Sequence, residues 1–136
     1  MENNIPNCFY RVSVKALVLD DTKNKFLLLK EDDGMWDFPW WWLDFWEDPR
    51  SGIIRELKEE TWLEVLWIDN KPSYFVIAEK PEYHCWLAHV FYETKLKNII
   101  FTPSEECQEI KFVTKEEAET MNILPNVVAF LKQYTF

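Results

Sequence analysis

Two glycines, Gly34 and Gly52, have to serve a 136-residue chain that carries eight tryptophans. In average proteins glycine makes up about 7% of residues. It enters left-handed backbone without steric cost, which is why turns use it. A many-turned fold built from this chain must therefore place other residues in its turns or accept strain there. The imbalance is local, because Trp40, Trp41, Trp42, Trp46 and Trp62 all fall within one short stretch.

The flanking sequence reads as alternating strands and helices. Residues 9–19 alternate and then turn apolar, as a strand entering a sheet does, and Phe26–Lys30 returns after the polar turn 20–25. Trp36-Asp37-Phe38-Pro39 is a short extended piece, since a residue before proline is pushed toward β geometry. Asp48 and Pro49 open a helix as N-cap and first-turn proline, and it runs to about Thr61 with Ile53, Ile54 and Leu57 as its apolar stripe. Residues 64–69, 73–79, 83–94 and 108–113 read as strands. Thr114 and Glu117 form a capping-box pattern, and residues 127–134 suggest a closing helix. This order, with no repeat and no linker long enough to divide the chain, points to one domain over residues 1–136, a mixed α/β or α+β sandwich.

The chemistry-bearing segment is Arg55-Glu56-Leu57-Lys58-Glu59-Glu60. At about 100° per residue, Glu56, Glu59 and Glu60 share a narrow arc. Like charges at those spacings destabilise an isolated helix by roughly 0.2–0.5 kcal/mol each. Closely spaced oxygen ligands suit Mg²⁺ or Mn²⁺, and Arg55 stands at the spacing that lets it hold Glu59. A purely solvated acidic face is the rival reading of these six residues.

Residues 41–63 resemble the signature box of the Nudix (MutT-like) hydrolases. Glu47, Arg55, Glu56, Leu57, Glu59, Glu60 and Leu63 fall on its pattern, and Trp36-Asp37-Phe38-Pro39 is similar to the family's approach to the box. The resemblance implies an α/β/α sandwich with a mixed central sheet. It implies Mg²⁺- or Mn²⁺-dependent cleavage of the pyrophosphate linkage of a nucleoside diphosphate derivative or nucleoside triphosphate. Glu56, Glu59 and Glu60 would ligate the metal, with the main-chain carbonyl of Trp40 as a further ligand. Glu56 would also orient or deprotonate the attacking water, and Arg55 and Glu47 would support the loop against the helix. Glu105, Glu106 or Glu109 could supply an additional carboxylate.

Both glycines of the box are tryptophan here, at Trp41 and Trp62, and Trp40, Trp42 and Trp46 stand where the family commonly uses glycine. Left-handed backbone at such positions costs on the order of 1–2 kcal/mol each for a non-glycine residue. The indoles at 40–42 would crowd the metal site or enlarge the apolar surface. The expectation is a hydrolase with reduced turnover, and the alternative is a catalytically disabled binding or scaffold domain of the same fold.

The remaining composition sets limits. A net charge of −9 argues against nonspecific nucleic-acid binding, which needs a basic surface. No apolar run approaches a membrane span, and the N-terminus lacks a signal peptide's basic and apolar regions. A cytoplasmic protein with a small-molecule substrate is the expectation, its oligomeric state open, a homodimer included. Cys8, Cys85 and Cys107 lack paired spacing and read as reduced thiols. Zinc at Cys85 and His89 is disfavoured, because positions four apart on a strand are about 13 Å apart. Arg11, Lys15 and Lys30 lie on early strands and could face a nucleotide, although exposed strand lysines commonly serve solubility.

Overall fold

The computed structural model describes residues 7–134 and contains eight strands and three α-helices there. In chain order these are β1 (Arg11–Val18), β2 (Phe26–Lys30), β3 (Trp36–Asp37), β4 (Trp40–Trp42), α1 (Pro49–Thr61), β5 (Val65–Ile68), β6 (Tyr74–Lys80), β7 (Cys85–Leu96), β8 (Glu109–Val113), α2 (Lys115–Glu119) and α3 (Pro125–Gln133). The N-terminal residues 1–6, on which the signal-peptide reading falls, lie outside the described residues.

Strands β4, β1, β7 and β5 lie side by side, and β6 also pairs with β7. The β1–β7 pairing is parallel and the others in this sheet are antiparallel. A second sheet runs β3-β2-β8, all antiparallel. The mixed sheet and flanking helices make the α/β/α sandwich.

Strand periodicity builds the two faces. Val14, Ala16 and Val18 of β1, with Leu27 and Leu29 of β2, pack in one core with Ile53 and Leu57 of α1. Leu17, Phe26 and Leu28 pack in the other with Phe38, Phe91, Val127, Phe130 and Leu131, so α3 covers the opposite face. Within it Phe38, Phe91 and Phe130 form a ring cluster, with centroids 4.8–5.0 Å apart.

Helix α1 begins as its sequence requires: Asp48 Oδ1 accepts from the Arg50 amide at 2.9 Å, and Pro49 needs no partner at the first turn. The expected stripe is narrower, because Ile53 and Leu57 are buried but Ile54 is 52% exposed. Thr114 and Glu117 form the capping box of α2.

Two further differences concern the tryptophans. Residues 40–42 form a strand that periodicity did not single out, with Lys15, Val14 and Ser13 opposite Trp40, Trp41 and Trp42. These three are therefore extended, and the left-handed strain expected of the glycine positions applies only at Trp46 (φ 64°) and Trp62 (φ 63°). Gly34 is left-handed as well, at φ 81°, while Lys23 and His84 take the same region at other turns. Tryptophan also alternates: Trp41 enters the core beside α1, while Trp40 and Trp42 turn to the α3 side, edge to face with centroids 5.0 Å apart.

Candidate functional site

The third turn of α1 and the ends of β2 and β4 enclose a cleft of about 380 Å³. Glu56, Glu59, Glu60 and Trp40 line it together with Glu31, Asp32 and Glu106. Of the three late carboxylates, only Glu106 borders the cleft. Its loop is held to the end of α1 by Ser104, whose Oγ donates to the Glu60 carbonyl at 3.3 Å and accepts from the Cys107 amide at 3.2 Å. Glu31 and Asp32 were missed. They sit in a polar turn after β2, and only the strand pairing brings them opposite the helix.

The cleft is electrostatically unbalanced. Burial, then Glu56, Glu106 and Glu31, push the Glu60 carboxyl up to about 8. Burial also raises Glu31, although the Trp40 indole donates to its Oε1 at 2.8 Å. Burial and the neighbouring Glu60 push the Cys107 thiol up to about 11. Arg55 is the nearby cation, and its Nη2 lies 3.4 Å from Glu56 Oε1 rather than beside Glu59. Among the described residues no group of three His, Cys, Asp or Glu side chains converges on a point that could hold an ion. Carboxylates gathered until one retains its proton are nevertheless the donor set that a hard divalent cation fits.

The proposed support pair is arranged differently. Among the described residues no ion pair joins Arg55 to Glu47. Glu47 Oε1 instead accepts from Trp41 Nε1 at 2.6 Å. That indole is 5% exposed and lies against Gly52, where a Cβ would collide with its ring. Gly52 thus serves by having no side chain under Trp41, within an ordinary helix.

Lys15 does not serve as an exposed, solubilising strand lysine. It is buried with Asp37, at 1% and 2% exposure, and Nζ donates to both carboxylate oxygens at 2.9 and 3.1 Å. Burial draws the ammonium below its usual range and Asp37 opposes the fall. An isolated strand lysine offers no sign of a partner 22 positions away.

The NUDIX domain family model matches residues 9–133. The chain belongs to the Nudix family, whose members are hydrolases. An RNA pyrophosphohydrolase of Campylobacter jejuni is 29% identical over 119 residues, covering 84% of this chain and 69% of that protein. Among solved structures, a MutT protein from Methanosarcina mazei Go1 superposes with a TM-score of 0.73 at 22% identity, covering 95% of this chain and 94% of the other. A MutT Nudix hydrolase from Burkholderia pseudomallei gives 0.75 at 16%, covering 93% and 99%. At these identities the structures speak for the fold. No described helix is long and apolar enough to cross a membrane.

Proposed function

We propose that the acidic cleft is the site of a Mg²⁺-dependent pyrophosphohydrolase acting on a nucleoside diphosphate derivative or nucleoside triphosphate, with turnover held down by the box tryptophans. The observation that carries this reading is the gathering of Glu31, Asp32, Glu56, Glu59, Glu60 and Glu106 around one cleft. Glu56, Glu59 and Glu60 would hold the ion, with the Trp40 main chain beside them and Glu106 at the cleft wall. Bound there, a divalent ion would neutralise charge on the pyrophosphate oxygens and the leaving group. Glu56, the carboxylate next to Arg55, orients or deprotonates water at the reacting phosphorus. Glu31 adds charge to the same cleft, and the Trp40 indole keeps it turned toward β4.

The competing reading, a binding domain with a disabled site, is favoured by one feature: the Trp40 indole occupies a border of the cleft and engages a cleft carboxylate. Calorimetric titration with Mg²⁺, followed by an assay of nucleoside diphosphate compounds and triphosphates, separates the two. Binding lost in Glu59→Gln/Glu60→Gln together with phosphate release supports the hydrolase. Binding without release supports the binding domain, and no cation binding overturns both in favour of a solvated acidic face.

A further inference from the structure

The buried pair Lys15 and Asp37 takes no part in the chemistry assigned to the cleft, and a core gains little from holding it. Two charges taken out of water carry a desolvation penalty that their attraction often only balances, and apolar side chains of similar volume are commonly as stabilising. Stability alone therefore does not account for an ion pair at this place. What the pair fastens does.

That is the passage from β3 into β4, Asp37-Phe38-Pro39-Trp40. It is tied along its length to two consecutive residues of β1. Lys15 Nζ donates to both Asp37 carboxylate oxygens. The Ala16 amide donates to the Pro39 carbonyl at 2.9 Å, and Trp40 stands opposite Lys15 in the β1–β4 register. Asp37 Oδ1 also accepts from the Phe38 amide at 2.7 Å. One carboxylate thus fixes both the first step of the turn and its position against β1. Because β3 belongs to one sheet and β1 and β4 to the other, the pair ties the two sheets together where the chain enters the cleft border.

Lys15 also reaches Trp40 directly. Its Nζ lies 5.1 Å from the centre of the indole, within the range of cation–π attraction. The same indole donates Nε1 to Glu31 Oε1 at 2.8 Å in the acidic cleft. A line of contacts therefore runs from Asp37 through Lys15 and Trp40 to a cleft carboxylate, while neither member of the pair lines the cleft. We propose that Lys15 and Asp37 are a positioning pair for that cleft: by fixing the Trp40 main chain and indole at its border, they set its affinity for a divalent cation without touching the cation. This role rests on the cation reading given above.

Two doubly substituted full-length chains test it. Lys15→Met/Asp37→Leu removes both charges and leaves neither orphaned. Lys15→Met/Asp37→Asn also removes both but keeps an acceptor for the Phe38 amide, and it carries the test should the first fail to fold. Each folded variant is titrated calorimetrically with Mg²⁺ in the absence of nucleotide, beside the parent. Fluorine NMR of fluorotryptophan-labelled protein follows the indoles, with the Trp40 and Trp67 signals assigned by their loss in Trp40→Phe and Trp67→Phe. The expected result is an Mg²⁺ Kd weakened about tenfold or more, the usual effect of disturbing residues that orient metal ligands. The Trp40 signal should shift or broaden, while that of Trp67, on the strand at the opposite edge of the sheet from β4, stays in place. A folded variant that binds Mg²⁺ as the parent does, or a Trp40 signal that does not move, would overturn the proposal and leave the cation reading intact. Failure of both variants to fold would mark the pair as purely structural and overturn it too. A parent that binds no Mg²⁺ would remove the cation site itself, and this role with it.

Discussion

Trp46 and Trp62 adopt a backbone region that costs a non-glycine residue roughly 1–2 kcal/mol, and both indoles are largely exposed, so little packing offsets the strain. Trp62 nevertheless closes α1, its amide donating to the Lys58 carbonyl at 3.0 Å. Replacing either by glycine should therefore raise stability by about 1 kcal/mol in urea unfolding. Unchanged or lower stability would mean that the indoles make contacts worth as much as the strain. Glu60 makes a pH prediction. Its folded pKa of about 8 lies above the ordinary 4.5, so between those values the folded state holds a proton that the unfolded chain has released. This group's contribution thus falls as pH rises from 4.5 to about 8. Glu60→Gln should flatten that slope in a series of melts. His89 acts with the opposite sign, because its neutral ring loses stability as pH falls from 6.5 toward about 3.

At the scale of elements, α1 and β4 are coupled through one contact. The Trp41 indole fills the space above Gly52 and ties to Glu47. Alanine is about 1 kcal/mol better than glycine inside a helix, so Gly52→Ala should stabilise a chain carrying Trp41→Gly and destabilise the chain carrying Trp41. A double-mutant cycle reads this reversal of sign directly, and effects that add would refute the contact. Between β1 and β3, Asp37→Asn should cost about 3–5 kcal/mol, because it leaves the Lys15 ammonium buried without its counter-charge. A loss below about 1 kcal/mol in denaturant titration would show that Lys15 is readily neutralised or rehydrated. The elements themselves were largely legible in the sequence. Proline and aspartate fix the start of α1, alternation marks the start of β1, and a continuous apolar run marks β2. β4 was not legible, since three identical residues carry no period. Its pairing with β1 is what turns Trp41 and Trp40 to opposite faces.

Across the whole molecule, the acidic arc of α1 was legible because helical spacing is local. Its meaning depended on partners distant in sequence. Glu31 and Glu106 join it only when β2, β8 and the loop ending at Cys107 assemble, and Lys15 meets Asp37 only across β1 and β3. The tryptophans were legible as an anomaly, but not in their separate roles: core filler at Trp41, cleft border at Trp40, strained turn at Trp46 and Trp62. The central claim is that this cleft is competent for cation-assisted pyrophosphate hydrolysis and that the tryptophans restrain it. The most direct measurement is Mg²⁺-dependent phosphate release by this chain and by one with glycine at 40, 41, 42, 46 and 62, on the same nucleotide panel. The account predicts at least a tenfold faster release from the five-glycine chain, abolished there by Glu56→Gln. Equal rates, or a five-glycine chain that folds and stays inert, would contradict it.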